Sequence, residues 1–265
     1  MTLTPGVIDP SKSDPDDLFV GYAPTPLVDR RFLMAALPLG AAALSGASWL
    51  SARKLDDPGA GDWRTGETHQ ITGALIAYPY PMIRMPAPDA PFGVRTALLV
   101  ATGKCTSALD LRERQATPVT ASGVLIRRKE RQMLEVPPFA ENWLAPADLE
   151  ITAALADPET ESLGKFRLAG QIMDSKCFFG VMRPGRGKTH KACASLCIRG
   201  GIPPSFWARN RAGREVVLLM TDERGAPISK EILPFVADPV EAQGEIIRVG
   251  DLLEFRVNMR SFRRL

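Results

Sequence analysis

The feature that most constrains this chain is an internal duplication. Pro118–Arg127 (PVTASGVLIR) matches Pro239–Arg248 (PVEAQGEIIR) at six of ten positions, with an offset of 121 residues. Each copy is followed by a second β-rich run, Gln132–Val136 and Leu252–Val257. Upstream, Ile71–Ile76 (ITGALI) pairs with Leu168–Met173 (LAGQIM), Gly73 corresponding to Gly170, at an offset of only 97. The second copy therefore holds 24 extra residues between these landmarks. A further strand-like run lies between them in each copy, at Arg95–Val100 and Glu215–Met220.

Short strands separated by turn residues, repeated twice and without long amphipathic helices, predict a mainly β protein built as two tandem small barrels. The strand count, with a glycine in the first and in a late strand where a strongly bent strand tolerates no bulk, points to an OB-like form. The predicted boundaries are 66–136 for the first barrel and 166–265 for the second. Residues 137–165, with six acids and one lysine, read as a linker in which Pro146–Ala156 forms a short helix. A net charge of +3, with no basic run interleaved with aromatics, excludes nucleic acid as a partner.

Ahead of the duplication, residues 1–31 form a cytoplasmic tail whose first 29 positions carry five prolines, five aspartates and one lysine, a composition that predicts disorder. Residues 32–50 (FLMAALPLGAAALSGASWL) then run for 19 positions without a charge, and Trp49 stands where an interfacial ring would sit. The segment reads as a transmembrane helix. Ser45-Gly46-Ala47 would serve as a small-residue cleavage site, so a long signal peptide is the competing reading. Arg30 and Arg31 precede the segment while Arg53 and Lys54 follow it, which leaves the positive-inside bias nearly balanced. Asp29–Met34 (DRRFLM) resembles the twin-arginine export signal that also anchors many bacterial Rieske proteins, with Phe32 following the arginines directly. That resemblance implies a single-pass protein of the bacterial inner membrane whose soluble domain lies in the periplasm.

The 24-residue excess falls in an insert, residues 174–201, that contains three of the four cysteines and one of the two histidines. On a helix from about Thr189 to Ile198, the residues His190, Cys193 and Cys197 share one face at spacings i, i+3 and i+7. Gly200 and Gly201 would stop this helix, and Pro203-Pro204 would prevent its resumption. Cys177 arrives from the preceding strand. Cys177, His190, Cys193 and Cys197 together suit a tetrahedral ion bound by thiolate and imidazole, zinc or copper(I). The alternative is a disulfide, as expected in an oxidising compartment. Cys193 and Cys197 cannot easily bond each other across one helical turn, where Cβ atoms lie roughly 6 Å apart against the ~3.8 Å a bridge needs. Cys177 would take one of them, leaving an odd cysteine unless Cys105 crosses over from the first barrel. Six Lys or Arg residues (176, 183, 186, 188, 191 and 199) against Asp174 make the insert basic, a setting that favours thiolate; the alternative is a solvated face or one that docks on the acidic linker.

Asp174-x-x-Cys177 followed by His190-x-x-Cys193-Ala-x-x-Cys197-Ile-x-Gly-Gly-x-Pro203 resembles a signature in uncharacterised exported or membrane-anchored bacterial proteins. Cys177, His190, Cys193, Cys197, Gly200 and Pro203 are the matching positions. The resemblance implies a structural unit and brings no activity with it. Elsewhere the sequence has no nucleophile elbow, phosphate loop, dinucleotide fingerprint, HExxH, Cys-x-x-Cys or Rieske ligand pattern. Tyr78–Met82 reads as a strand end with edge prolines, and Gly103-Lys104-Cys105 as an ordinary turn. The expected function is a membrane-anchored, non-enzymatic metal-binding module, accessory to a respiratory or metal-handling complex. The alternatives are a disulfide-stapled scaffold subunit and a thiol–disulfide redox protein.

Overall fold

The structure, a computed structural model, describes residues 19–20, 23–24, 26–53, 59, 61–140, 142–180, 182, 184–210, 212–228 and 230–265. The chain divides into two compact units, Met1–Asp57 and Pro58–Leu265. Most of the expected tail lies outside the described residues; within it Phe19–Val20 pairs antiparallel with Ala23–Pro24.

Helix α1, Leu27–Arg53, runs beyond the charge-free stretch at both ends. Pro26 accepts the first helical hydrogen bond, from the Arg30 N–H at 2.9 Å, and Asp29 occupies the first turn, where a carboxylate favours the positive end of the helix. Absence of charge marks the apolar band and not the helix ends, because arginine is itself a good helix former. The helix is 27 residues long, buries none of them within the protein, and is long and apolar enough to cross a membrane.

The second unit holds the expected tandem of OB-like barrels. In the first, strands β1 (His69–Ile76), β2 (Met82–Pro86), β3 (Val94–Ala101), β4 (Thr117–Arg128) and β5 (Arg131–Val136) close in the order β1-β2-β3-β5-β4-β1. Only β3 and β5 run parallel. In the second, β6 (Thr160–Asp174), β7 (Pro204–Arg209), β8 (Glu215–Asp222), β9 (Pro239–Val249) and β10 (Leu252–Val257) repeat that order, with β8 and β10 parallel. Gly73 of β1 pairs with Val119, and Gly170 of β6 pairs with Val240, the same position of the repeat. A Cβ at either glycine would fall on the backbone carbonyl of the neighbouring second strand, that of Arg84 or of Trp207, so the bend of each first strand requires glycine.

The linker shrinks at both ends relative to expectation. Pro146 ends a short strand, Leu144–Pro146, that pairs with β4, and the helix expected over Pro146–Ala156 is the four-residue α2, Ala153–Ala156. Thr160–Lys165 belong to β6, on a largely exposed stretch that pairs with β9, where polar residues fit without cost. The first barrel is likewise extended, by the strand Gly61–Trp63 against β4.

Three apolar clusters result. One fills the first barrel (Leu75, Ile83, Leu99, Leu134) and one the second (Ile172, Phe206, Met220, Phe255). The third lies between barrels and takes outward-facing residues of both, such as Ala74, Met82, Met133, Leu219 and Leu252, together with Cys177, Phe178, Phe179 and Cys197. Strands buried on both faces explain why the sequence lacks clean in/out alternation. Tyr80 seals this seam. Its hydroxyl donates to the Met220 carbonyl at 2.8 Å and accepts from the Ile228 N–H at 3.0 Å, so Tyr78–Met82 contributes a buried crosspiece as well as an edge.

Candidate metal centre

The connection between the first two strands is five residues in the first barrel, 77–81, and 29 in the second, 175–203. All of the additional sequence in the second copy is therefore one loop, and the Cys/His cluster lies on it. Asp174, the last residue of β6, starts helix α3 (Ser175–Phe179), its Oδ1 accepting from the Cys177 N–H at 2.8 Å. His190 ends a 3-10 turn, Lys188–His190, and α4 (Lys191–Arg199) follows at once. The helix stops as expected: Gly201 adopts a positive φ, and its N–H and that of Ile202 bond back to Ile198 and Cys197.

The four predicted ligands form one cluster around Cys177. The ligand atoms of Cys177, His190 and Cys193 lie within 4.8 Å of one another, as do those of Asp174, Cys177 and Cys197. The Cys177 and Cys193 sulfurs are 3.9 Å apart. Two thiolates on one tetrahedral ion, with metal–sulfur bonds of ~2.3 Å, stand about 3.8 Å apart, whereas a disulfide needs ~2.05 Å. All four cysteines are free thiols, Cys105 included; its sulfur sits 3.6 Å from the Thr102 carbonyl oxygen. The donor set is soft sulfur and imidazole and could hold a transition-metal ion.

Charge around the cluster is arranged by Asp174 and Lys104, neither of them among the predicted ligands. Asp174, fully buried, places Oδ2 at 3.0 Å from Nε2 of His190 while Oδ1 holds the Cys177 amide. A carboxylate on one ring nitrogen fixes the orientation of the imidazole. Lys104, from the loop after β3 of the first barrel, places Nζ at 2.7 Å from the Cys193 sulfur, and that bond holds the ammonium above the ordinary lysine value. The lysine of the Gly-Lys-Cys turn thus serves a thiol 89 positions away and not its neighbour Cys105. The hydrogen bond between Cys177 and Cys197 raises the Cys177 thiol, helped by burial and the Asp174 charge, and lowers Cys197.

The basic residues of the insert separate in space. Lys176 is buried, with Nζ at 2.6 Å from Glu135 Oε1 and donating to the carbonyls of Ala101 (2.6 Å) and Gly103 (2.9 Å). Arg186 stacks 4.1 Å over the Trp207 ring, Lys191 pairs with Asp238, and Lys188 and Arg199 are exposed. Arg183 lies outside the described residues. His69, 3.3 Å from Glu67, belongs to a separate surface of the first barrel. Compared with known protein families, with curated proteins and with solved structures, the chain matches none.

Proposed function

We propose that this chain is a membrane-anchored, non-enzymatic module of the bacterial inner membrane, its barrels in the periplasm, that binds zinc or copper(I) through Cys177, His190, Cys193 and Cys197. In this reading it serves a respiratory or metal-handling complex as an accessory subunit. The observation that carries it is the 3.9 Å separation of the Cys177 and Cys193 sulfurs beside a carboxylate-oriented histidine, the spacing of two ligands on one tetrahedral ion. The apolar helix α1 supports the membrane placement.

Full-length chain purified in detergent under reducing conditions is expected to carry stoichiometric metal by elemental analysis. Cys197→Ser and His190→Ala are expected to lose it. A preparation that stays metal-free after incubation with zinc or copper(I), with its sulfurs oxidised in pairs, would instead support the disulfide or thiol-redox alternatives. Asp174→Asn separates ligand from positioning roles. It is expected to keep metal binding but weaken it by about 10–100-fold, the usual cost of losing a carboxylate behind a ligating histidine, measured by chelator competition.

A further inference from the structure

Of the three clustered cysteines, only Cys193 is more than marginally exposed. Cys177 and Cys197 are 3% and 1% exposed and His190 is 4% exposed. Cys193 is part-exposed on the first turn of α4, with the Lys104 ammonium 2.7 Å from its sulfur and the buried Cys177 sulfur 3.9 Å away. A part-exposed cysteine beside a lysine ammonium, with a second thiol in reach, is the arrangement in which cysteine reacts with peroxides and is then captured as a disulfide. Bonding requires the two sulfurs to close by roughly 2 Å, and Cys193 sits at the start of a nine-residue helix. Cys197 is a poor partner for Cys193, being one helical turn away on the same element.

We infer that the cluster is an oxidant-gated metal site: a hydroperoxide is reduced at Cys193, Cys177 captures the product, and the resulting disulfide removes two of the four ligands. This inference rests on the metal-binding reading above. The Cys193 sulfur attacks a peroxide oxygen; the S–O bond forms as the O–O bond breaks, and the departing oxygen takes a proton from the Lys104 ammonium, which solvent restores. The Cys177 sulfur then attacks the sulfenic sulfur. The S–S bond forms, the S–O bond breaks, and hydroxide leaves as water, carrying the Cys177 proton or, where that sulfur starts as thiolate, one from water. The peroxide gains two electrons and the two cysteines lose them. His190 and Cys197 remain, too few to hold the ion.

The test uses full-length chain in detergent micelles, loaded with zinc alone and treated with equimolar hydrogen peroxide. A coloured chelator follows released zinc, and peptide mass spectrometry locates the disulfide. Zinc is expected to appear in step with one bond, Cys177–Cys193, and to be retaken after reduction. Lys104→Met, an exposed substitution that leaves the four ligands in place, is expected to slow both events about tenfold, and Lys104→Arg to restore them. Cys105→Ser is expected to behave as the parent. Zinc release with Cys177 and Cys193 still reduced, or a disulfide joining other cysteines, would overturn the inference. A chain that takes up no zinc but forms the Cys177–Cys193 bond would refute metal binding and leave the peroxide step intact. Zinc held through excess peroxide with every sulfur reduced would do the reverse.

Discussion

Replacing Lys176 with methionine is expected to destabilise the two-barrel body by about 3–5 kcal/mol, the usual cost of removing one partner of a buried ion pair. Lys176 is 1% exposed and Glu135 8%, and their charged atoms are 2.6 Å apart. The remaining Glu135 oxygen accepts from the Trp63 indole N–H at 2.9 Å, and the Lys176 ammonium lies 5.3 Å from that ring. Methionine fills the space of the lysine stem but leaves the buried Glu135 carboxylate with the Trp63 indole as its one side-chain donor among the described residues. It also leaves the carbonyls of Ala101 and Gly103 without their ammonium. Thermal unfolding should fall by about 6–20 °C, taking 2–4 °C per kcal/mol for a body of this size. The double variant Lys176→Met/Glu135→Gln should recover most of the loss, because it removes the uncompensated charge. A single variant as stable as the parent would show that water reaches this pair and that the barrels are not joined through it.

The same residue marks the limit of what the sequence made legible. The duplicated barrels could be read because Gly73 and Gly170, and the two copies of the PV-x-A-x-G motif, face the same steric demand in each barrel and retain the same residues. The cluster could be read because Cys193 and Cys197 lie on one short helix and His190 ends the 3-10 turn that leads directly into it, so spacing brings the three close to one face. Lys176, by contrast, counted as one of six cations on a basic insert; composition carries no sign that it finds Ala101 and Glu135 in the first barrel. Lys104 escaped for the same reason. Asp174 was visible as part of the Asp-x-x-Cys spacing, which is a helix start, but its second oxygen reaches His190 only because the loop folds back on β6. Local periodicity identifies what one element presents; it is silent on which other element meets it.

That meeting depends on one position at the end of α4, and Gly200→Ala is the second substitution expected to have a large effect. Gly200 has φ −80°, an ordinary value for any residue, so the requirement for glycine is one of space and not of backbone conformation. A Cβ there would fall on the Lys104 carbonyl oxygen, with the Cys105 Cα at 3.1 Å. Both are backbone atoms and cannot rotate aside, so the loop after β3 must move away from the helix. The Thr106 N–H to Gly200 carbonyl bond, 3.0 Å, would open, and Lys104 would withdraw from Cys193. The expected cost is about 1–3 kcal/mol, the range for overpacking a tight contact. Gly213→Ala supplies the comparison: nothing lies within 4 Å of its added Cβ, and its φ of +74° brings backbone strain alone. Both variants should lower the melting temperature in detergent, but only Gly200→Ala should slow peroxide-driven zinc release as Lys104→Met does. Equal release rates for Gly200→Ala and the parent would mean that Lys104 follows the helix without its backbone contact, and that the two barrels do not share the site in the way their packing implies.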